Sequence, residues 1–522
     1  MAVLALAACA PAQTQTSACA AGRKCLHFGN LAEPNSIDPQ KITGVQEDNI
    51  VGNILMGLTT EDAHGEVIPG MATSWETSSD GLTWTFHLRE AKWSDGMPVT
   101  ADDFVFGLGR LLDPATTAEY GYLLYFIEGA QAVNEGKTPL TALGVRALDA
   151  RTLQIKLNHP APYLLQLAKH QTMYPAPRHV VEKYGDSWTN EHYVSNGPYT
   201  VQSWRLGDRL HASKNPYFYD AKNVCIDDIY FYPTNDSIAA ERRIKRGELD
   251  WNNDIQSNRI ARLRADIPAY VRTHTYLGTM YVAFNASVPA FKDLRVRTAL
   301  SMAIDRDFIT QKLLRGGQVS AFTFTPPGLA NYAPVAAPAW AAWPYARRQA
   351  EARRLLSEAG YGPGNPLKIE ITQRNTADPM LLMPAVQADW AEIGVQAALF
   401  PQESQIAYQS YRTRDFQVAE AGWIADYNDP KSFLDLMQSS TGAMNYGDYR
   451  SPAYDALLAQ ADKEPDAGER AAIMVRAEAV MLADVPVAPI YFYQAKNLVN
   501  PRITGFADNI VDKHRVRWMC VK

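Results

Sequence analysis

LKIEITQRNTADPMLLMPAVQADWAEIGVQAALF, residues 367–400, reads as one strand–helix–strand unit. Leu367, Ile369 and Ile371 alternate with polar residues, the period of a half-buried strand. Residues 379–392 carry an apolar helical face that begins with Pro379 in its first turn and stops at Gly394, and 395–400 resume as a strand. Two strands joined through a helix run parallel, because the crossover returns the chain in the same direction. Upstream, residues 344–359 read as a second helix, opened by Pro344 and closed at Gly360. Trp84-Thr-Phe-His-Leu88 alternates as a strand, and Thr100-Ala-Asp-Asp103 opens a helix with carboxylates at its positive end. The pattern predicts an α/β protein with a largely parallel sheet whose strand ends form ligand crevices.

At 522 residues the chain exceeds what one core organises, about 250–300 residues, so two or three domains are expected. It is 47% hydrophobic and 20% charged, with 50 basic against 56 acidic residues for a net charge of −6. That balance, with no basic block and no Gly-rich phosphate loop, argues against a nucleic-acid partner. No apolar run reaches membrane-spanning length. The opening MAVLALAACAPA is more specific: Leu6-Ala7-Ala8-Cys9 has the spacing of a lipoprotein processing site, an apolar run and two small residues before a cysteine to be acylated. No Lys or Arg precedes Arg23, so the run reads as the tail of a longer signal. Residues 1–24 are therefore expected to be signal remnant and tether, with Cys9 lipidated and the protein held in the periplasm or on the outer face of the cell membrane.

Cys19, Cys25, Cys225 and Cys520 remain, an even set that an oxidising compartment closes into two disulfides by one of three connectivities. None has metal-ligand spacing, and neither a metal nor a cofactor is expected. The Ala/Pro-rich stretch 328–344 reads as a long surface loop pinned by Trp340 and Trp343. No nucleophile elbow, zinc-protease motif or Walker loop is present, and the ten histidines are dispersed. Carboxylate pairs such as Asp426 with Asp429, or Asp227 with Asp228, are the sparse material for a secreted hydrolase. Aromatic content is the stronger signal: 26 Tyr and 11 Trp, clustered at Trp423 with Tyr427 and at Tyr491-Phe-Tyr493, the rigid amphipathic surfaces that build binding walls.

Four stretches carry a resemblance: 84–114 (WTFHLREAKWSDGMPVTADDFVFGLGRLLDP), 195–204 (SNGPYTVQSW), 291–309 (FKDLRVRTALSMAIDRDFI) and 421–437 (AGWIADYNDPKSFLDLM). In this order they resemble the extracellular solute-binding proteins of family 5, the peptide-importer class, and within it the oligopeptide-binding receptors of ATP-binding-cassette (ABC) importers. The resemblance runs from about residue 25 to the C-terminus. It implies a periplasmic binding protein-like fold (type II, cluster C), two lobes with a hinge plus an extra domain. By position, domain I comprises 25–55, 177–277 and 495–522, domain II 56–176, and domain III 278–494. It also implies a monomer that does no chemistry, captures a peptide or peptide-like cation between domains I and III, and hands it to an ABC permease in the inner membrane. A cell-wall peptide, an opine or an amphipathic small molecule is the alternative ligand.

The resemblance further implies site residues. The aspartate of the Ala-Asp-Tyr-Asn motif, which holds the ligand's α-ammonium in relatives, is Asp426; helix capping is its alternative use. Gly44, Val45, Tyr120, Trp423 and Tyr493 match the family's pocket, and Tyr281 stands between pocket and core. Relatives bind the peptide backbone as an added strand, which asks little of side-chain identity. Gly278 and Ile424 occupy positions where close relatives carry a cysteine pair. Basic residues that receive the ligand's carboxylate in relatives are replaced by Glu420, Tyr411 and Leu314, with Arg315, Arg412 and Arg414 nearby as substitutes. Glu420 is expected either to face the pocket and repel a carboxylate or to pair with Arg412 or Arg414 outside it.

Overall fold

The computed structural model describes residues 19–253 and 255–522, so Cys9 and the lipidation expected of it lie outside the described residues. The βαβ unit forms as its sequence requires. Strand β3 (Lys368–Arg374) pairs in parallel with β4 (Gln396–Gln402), Lys368 opposite Gln396 and Arg374 opposite Gln402. Helix α4 (Ala377–Glu392) joins them, starting two residues before Pro379. Trp390 anchors it, fully buried, its indole N–H donating to the Leu300 carbonyl at 2.9 Å. Helix α3 (Tyr345–Glu358) follows Pro344, and Gly360 takes the left-handed turn, φ +90°, that releases the chain. The 328–344 loop is pinned as expected: Trp340 and Trp343 pack on the core beneath α3, and Arg347 covers Trp343.

The expectation of a largely parallel sheet is corrected. An eleven-stranded mixed sheet runs through the molecule, and its central strands are antiparallel. The long strands β2 (Val271–Phe284) and β6 (Val487–Val499) pair with each other, and β2 also pairs antiparallel with β5 (Val418–Ile424). Beyond β6 lie Trp251–Asn252, β1 (Cys25–Gly29), Asp228–Tyr232 and a hairpin of Arg209–Lys214 with Tyr199–Arg205. Parallel pairing needs a crossover, and it is confined to β3 with β4 and β5 and to β1 with its two neighbours; the hairpin turns at Gly207, and β2, β5 and β6 run antiparallel although helices separate them along the chain. A separate antiparallel sheet, Ala72–Thr77, Thr83–Leu88, Thr152–Lys156 and Val145–Asp149, carries the 84–88 strand.

Two of the sequence motifs are structural. Thr100 caps helix α2 (Ala101–Leu112), and the Asp103 carboxylate returns to the Thr100 amide at 2.8 Å and to the buried Trp93 indole at 3.2 Å. Ser94 and Ser195 then exchange hydrogen bonds, tying the WSDG turn to the SNGP stretch, and the Asn196 amide closes on both backbone groups of Met56. In β2, Met280, Val282 and Phe284 face the core under α3 and α4, while Tyr281 and Ala283 face the opposite core, the period-two alternation of a strand buried on both sides. The register of β2 and β6 slips between Thr275 and Thr279. The boundaries 277/278 and 494/495 fall inside these strands, next to that slip.

The disulfides are Cys19–Cys25 and Cys225–Cys520, one of the three open connectivities. Gly278 and Ile424 are direct cross-strand partners on β2 and β5.

Candidate functional site

Asp426 follows the end of β5, where its backbone N–H donates to Ser432 Oγ at 2.9 Å. Its side chain is 10% exposed. Oδ1 lies 3.4 Å from the Tyr120 hydroxyl and 3.6 Å from His170 Nε2, whereas Oδ2 is buried and has no hydrogen-bond partner among the described residues. The Tyr120 hydroxyl is also 3.3 Å from the Thr43 carbonyl. Segments around residues 43, 120, 170 and 426 therefore meet at one point. Burial first and the Asp426 charge second push the Tyr120 and Tyr122 hydroxyls far above the usual tyrosine range, so both stay protonated as donors.

Gly44 is the N-cap of helix α1 (Val45–Ile54), and the Glu47 carboxylate accepts from the Gly44, Thr43 and Asn35 amides. This fixes the loop and leaves Val45, first residue of the helix, exposed beside it. Behind α1, Arg515 bonds Glu61 and Asp48, a buried charge cluster that ties the helix to the C-terminal segment. Trp423, on β5, is buried, and its indole N–H has no hydrogen-bond partner among the described residues. Tyr493, on β6, lays its hydroxyl over Gly422, where any Cβ would collide with it. Tyr281 is a core residue here, 2% exposed with its ring edge-on to Phe324.

Glu420 has a partner that the sequence reading missed. Its carboxylate is fully buried and is forked by Arg374, the last residue of β3, whose Nε donates at 3.1 Å and whose Nη2 closes the second arm. The Arg374 amide also donates to it at 3.2 Å, and Arg374 Nη1 donates to Tyr408 Oη at 3.0 Å. Burial works against the guanidinium charge, but Glu420 outweighs it and holds Arg374 firmly protonated. The lone repelling carboxylate is therefore corrected to a neutralised pair, and the partner is neither Arg412 nor Arg414. Arg412 bonds Glu119 at 2.8 Å, next to Tyr120, and Arg414 holds Asp448 and the Gly442 carbonyl. Leu314 and Tyr411 are buried and Arg315 points to solvent. A cue for Arg374 existed only in the pairing of β3 with β5, Thr372 opposite Ala419, which sets the end of β3 beside Glu420. His170 gave no cue at all.

Of the carboxylates offered for hydrolysis, Asp429 is forked by Arg470 at 2.8 and 3.0 Å, and Asp228 binds Arg23 and His211.

A family model for bacterial extracellular solute-binding proteins, family 5, matches residues 66–445. The chain belongs to that family. This family 5 protein is 38% identical to the periplasmic oligopeptide-binding protein OppA of Escherichia coli over 93% of the chain and 90% of the relative. It superposes on the E. coli murein tripeptide-binding protein MppA with a TM-score of 0.92 at 36% identity, covering 96% of this chain and 99% of the other. Against the unliganded open form of MppA the TM-score falls to 0.71 at 35% identity, over 96% and 98%. Against Haemophilus influenzae OppA in complex with RPPGFSPFR it is 0.90 at 34% identity, over 96% and 99%. The lobes are thus arranged as in the peptide complex, not as in the open form.

Proposed function

We propose that this protein is the solute-binding receptor of an ABC importer, capturing short peptides or peptide-like ligands, cell-wall peptides included, by their α-ammonium group. The observation that carries the reading is Asp426 Oδ2, a buried carboxylate oxygen without a partner among the described residues, where four chain segments converge. A buried carboxylate left half-paired costs several kcal/mol, and an ammonium placed between Oδ2 and the Tyr120 hydroxyl relieves that cost. Trp423 supplies a wall and an unused donor, and the loop at Gly44 and Val45 closes the opposite side. Relatives named for oligopeptides and murein peptides support this ligand class.

In this reading domain I is 25–55, 177–277 and 495–522, domain II is 56–176 and domain III is 278–494, with the crossings in β2 and β6 as the hinge. The receptor works outside the inner membrane as a monomer, Cys9 carrying its lipid anchor, and releases the unaltered ligand to the permease. Native mass spectrometry of the purified protein tests the reading, because a receptor of this kind retains peptide mass that denaturation releases. Peptide cleavage during the same incubation would overturn it in favour of a hydrolase.

A further inference from the structure

The edge of β5 is open over a defined length. β3 pairs with β5 only at Ile371–Val418 and Thr372–Ala419 and then leaves, while β2 covers the other edge from Val418 to Ile424. From Glu420 to Ile424, no strand lies against the β3-side edge among the described residues. Unpaired backbone groups along such an edge accept an added strand. Asp426 stands at one end of this edge and Arg374, where β3 turns away, at the other.

Arg374 is built to present charge in one direction. Glu420 is fully buried behind it and takes the Nε and Nη2 side of the guanidinium, leaving Arg374 16% exposed in front. Tyr408 braces Nη1 from helix α5 (Ser404–Thr413). One turn further along α5, Arg412 reaches across to Glu119, so this face of the helix looks toward the opposite lobe. With one edge fixed by a carboxylate, the rest of the guanidinium is held only by the neutral Tyr408 and Tyr493 hydroxyls, which a second, charged planar acceptor outcompetes.

We infer that Arg374 is the far-end anchor of the ligand site, receiving the C-terminal carboxylate of a peptide laid along the open edge of β5, with Glu420 as the residue that aims it. The inference rests on the receptor reading above. Six positions from Glu420 to Asp426 at about 3.3 Å each span about 20 Å, and with the inward reach of both side chains this suits peptides of about four or five residues.

The test is calorimetric titration with alternating Ala-Leu peptides of three to six residues, each as free acid and C-terminal amide. The wild type is expected to bind the four- or five-residue acid about tenfold tighter than its amide, and Arg374→Gln to lose that preference while keeping the affinity for amides. Because Arg374→Gln strands the buried Glu420 charge, the double variant Arg374→Gln/Glu420→Gln serves if the single one does not fold, with the same expectation. Equal binding of acid and amide by the wild type at every length, or a preference that survives the substitution, overturns the role of Arg374 and leaves the receptor reading intact. Failure of all acids and amides to bind overturns both.

Discussion

Tyr120 and Asp426, 306 residues apart in sequence, meet with the hydroxyl 3.4 Å from Oδ1. The contact joins a segment packed beside the antiparallel sheet to the loop after β5, and the same hydroxyl touches the Thr43 carbonyl ahead of α1. An ammonium bound here gains its counter-charge from one lobe and its orientation from the other, so capture and closure are one event.

Asp426→Asn is expected to weaken binding of free-amine peptides by ~2–4 kcal/mol, because it leaves a desolvated ammonium without its counter-charge. Tyr120→Phe removes the hydroxyl oxygen that accepts from the ammonium and is expected to cost about 0.5–1.5 kcal/mol. Calorimetry measures both, and an unchanged affinity for Asp426→Asn contradicts the assignment.

Closure is expected to be visible in solution. Without ligand the lobes separate and the Arg412–Glu119 contact breaks; saturating peptide compacts the protein and raises its melting temperature by mass action. Small-angle scattering of unfolded-and-refolded, ligand-free protein before and after peptide addition checks this. Arg412→Ala is expected to change affinity by no more than about 1 kcal/mol, since the pair is partly exposed.

Much of this was legible in the chain. The βαβ unit, the caps of α2 and α3 and the pinned Trp340–Trp343 loop depend on local periods and punctuation, which a single sequence carries. The antiparallel centre was not legible, because β2 and β6 are about two hundred residues apart and nothing local states which strands become neighbours. The same limit hid Arg374: its meaning lies in a strand partner 46 residues away. Glu420 looked like an unbalanced charge only because the partner contributed by β3 was out of view.

The two disulfides are expected to differ in worth. Cys225–Cys520 closes a loop of 295 residues and Cys19–Cys25 one of 6, so chain entropy assigns about 5–6 kcal/mol to the first and about 2 kcal/mol to the second. Equilibrium denaturation of the paired Cys→Ala variants measures both, and a reversed order contradicts the account.

Stability is expected to fall on the alkaline side through His274. Its Nε2 lies 3.2 Å from Asp512 Oδ1, which also takes His514 Nε2 at 2.8 Å and Asn497 Nδ2 at 2.9 Å. Burial pushes the Asp512 carboxyl up, but hydrogen bonds from the two histidines win and hold it at about 2. Burial likewise opposes the His274 charge, and Asp512 with the Thr275 carbonyl outweighs it, so His274 is raised. A histidine whose folded value exceeds its unfolded one, about 6.5, stabilises fully below that pH and ceases to as pH climbs through the folded value. The melting temperature is expected to drop by about 1–2 °C between pH 6 and 8.5, and His274→Gln to flatten that slope.

The central claim is that Asp426 holds a ligand ammonium, and the most direct measurement is calorimetric titration of the ligand-free protein with Ala-Leu-Ala-Leu and its N-acetylated form. Acetylation removes the charge and leaves the rest of the peptide intact. Acetylation is expected to cost ~2–4 kcal/mol, about 30- to 1,000-fold in Kd. Equal affinity for the two peptides would contradict it.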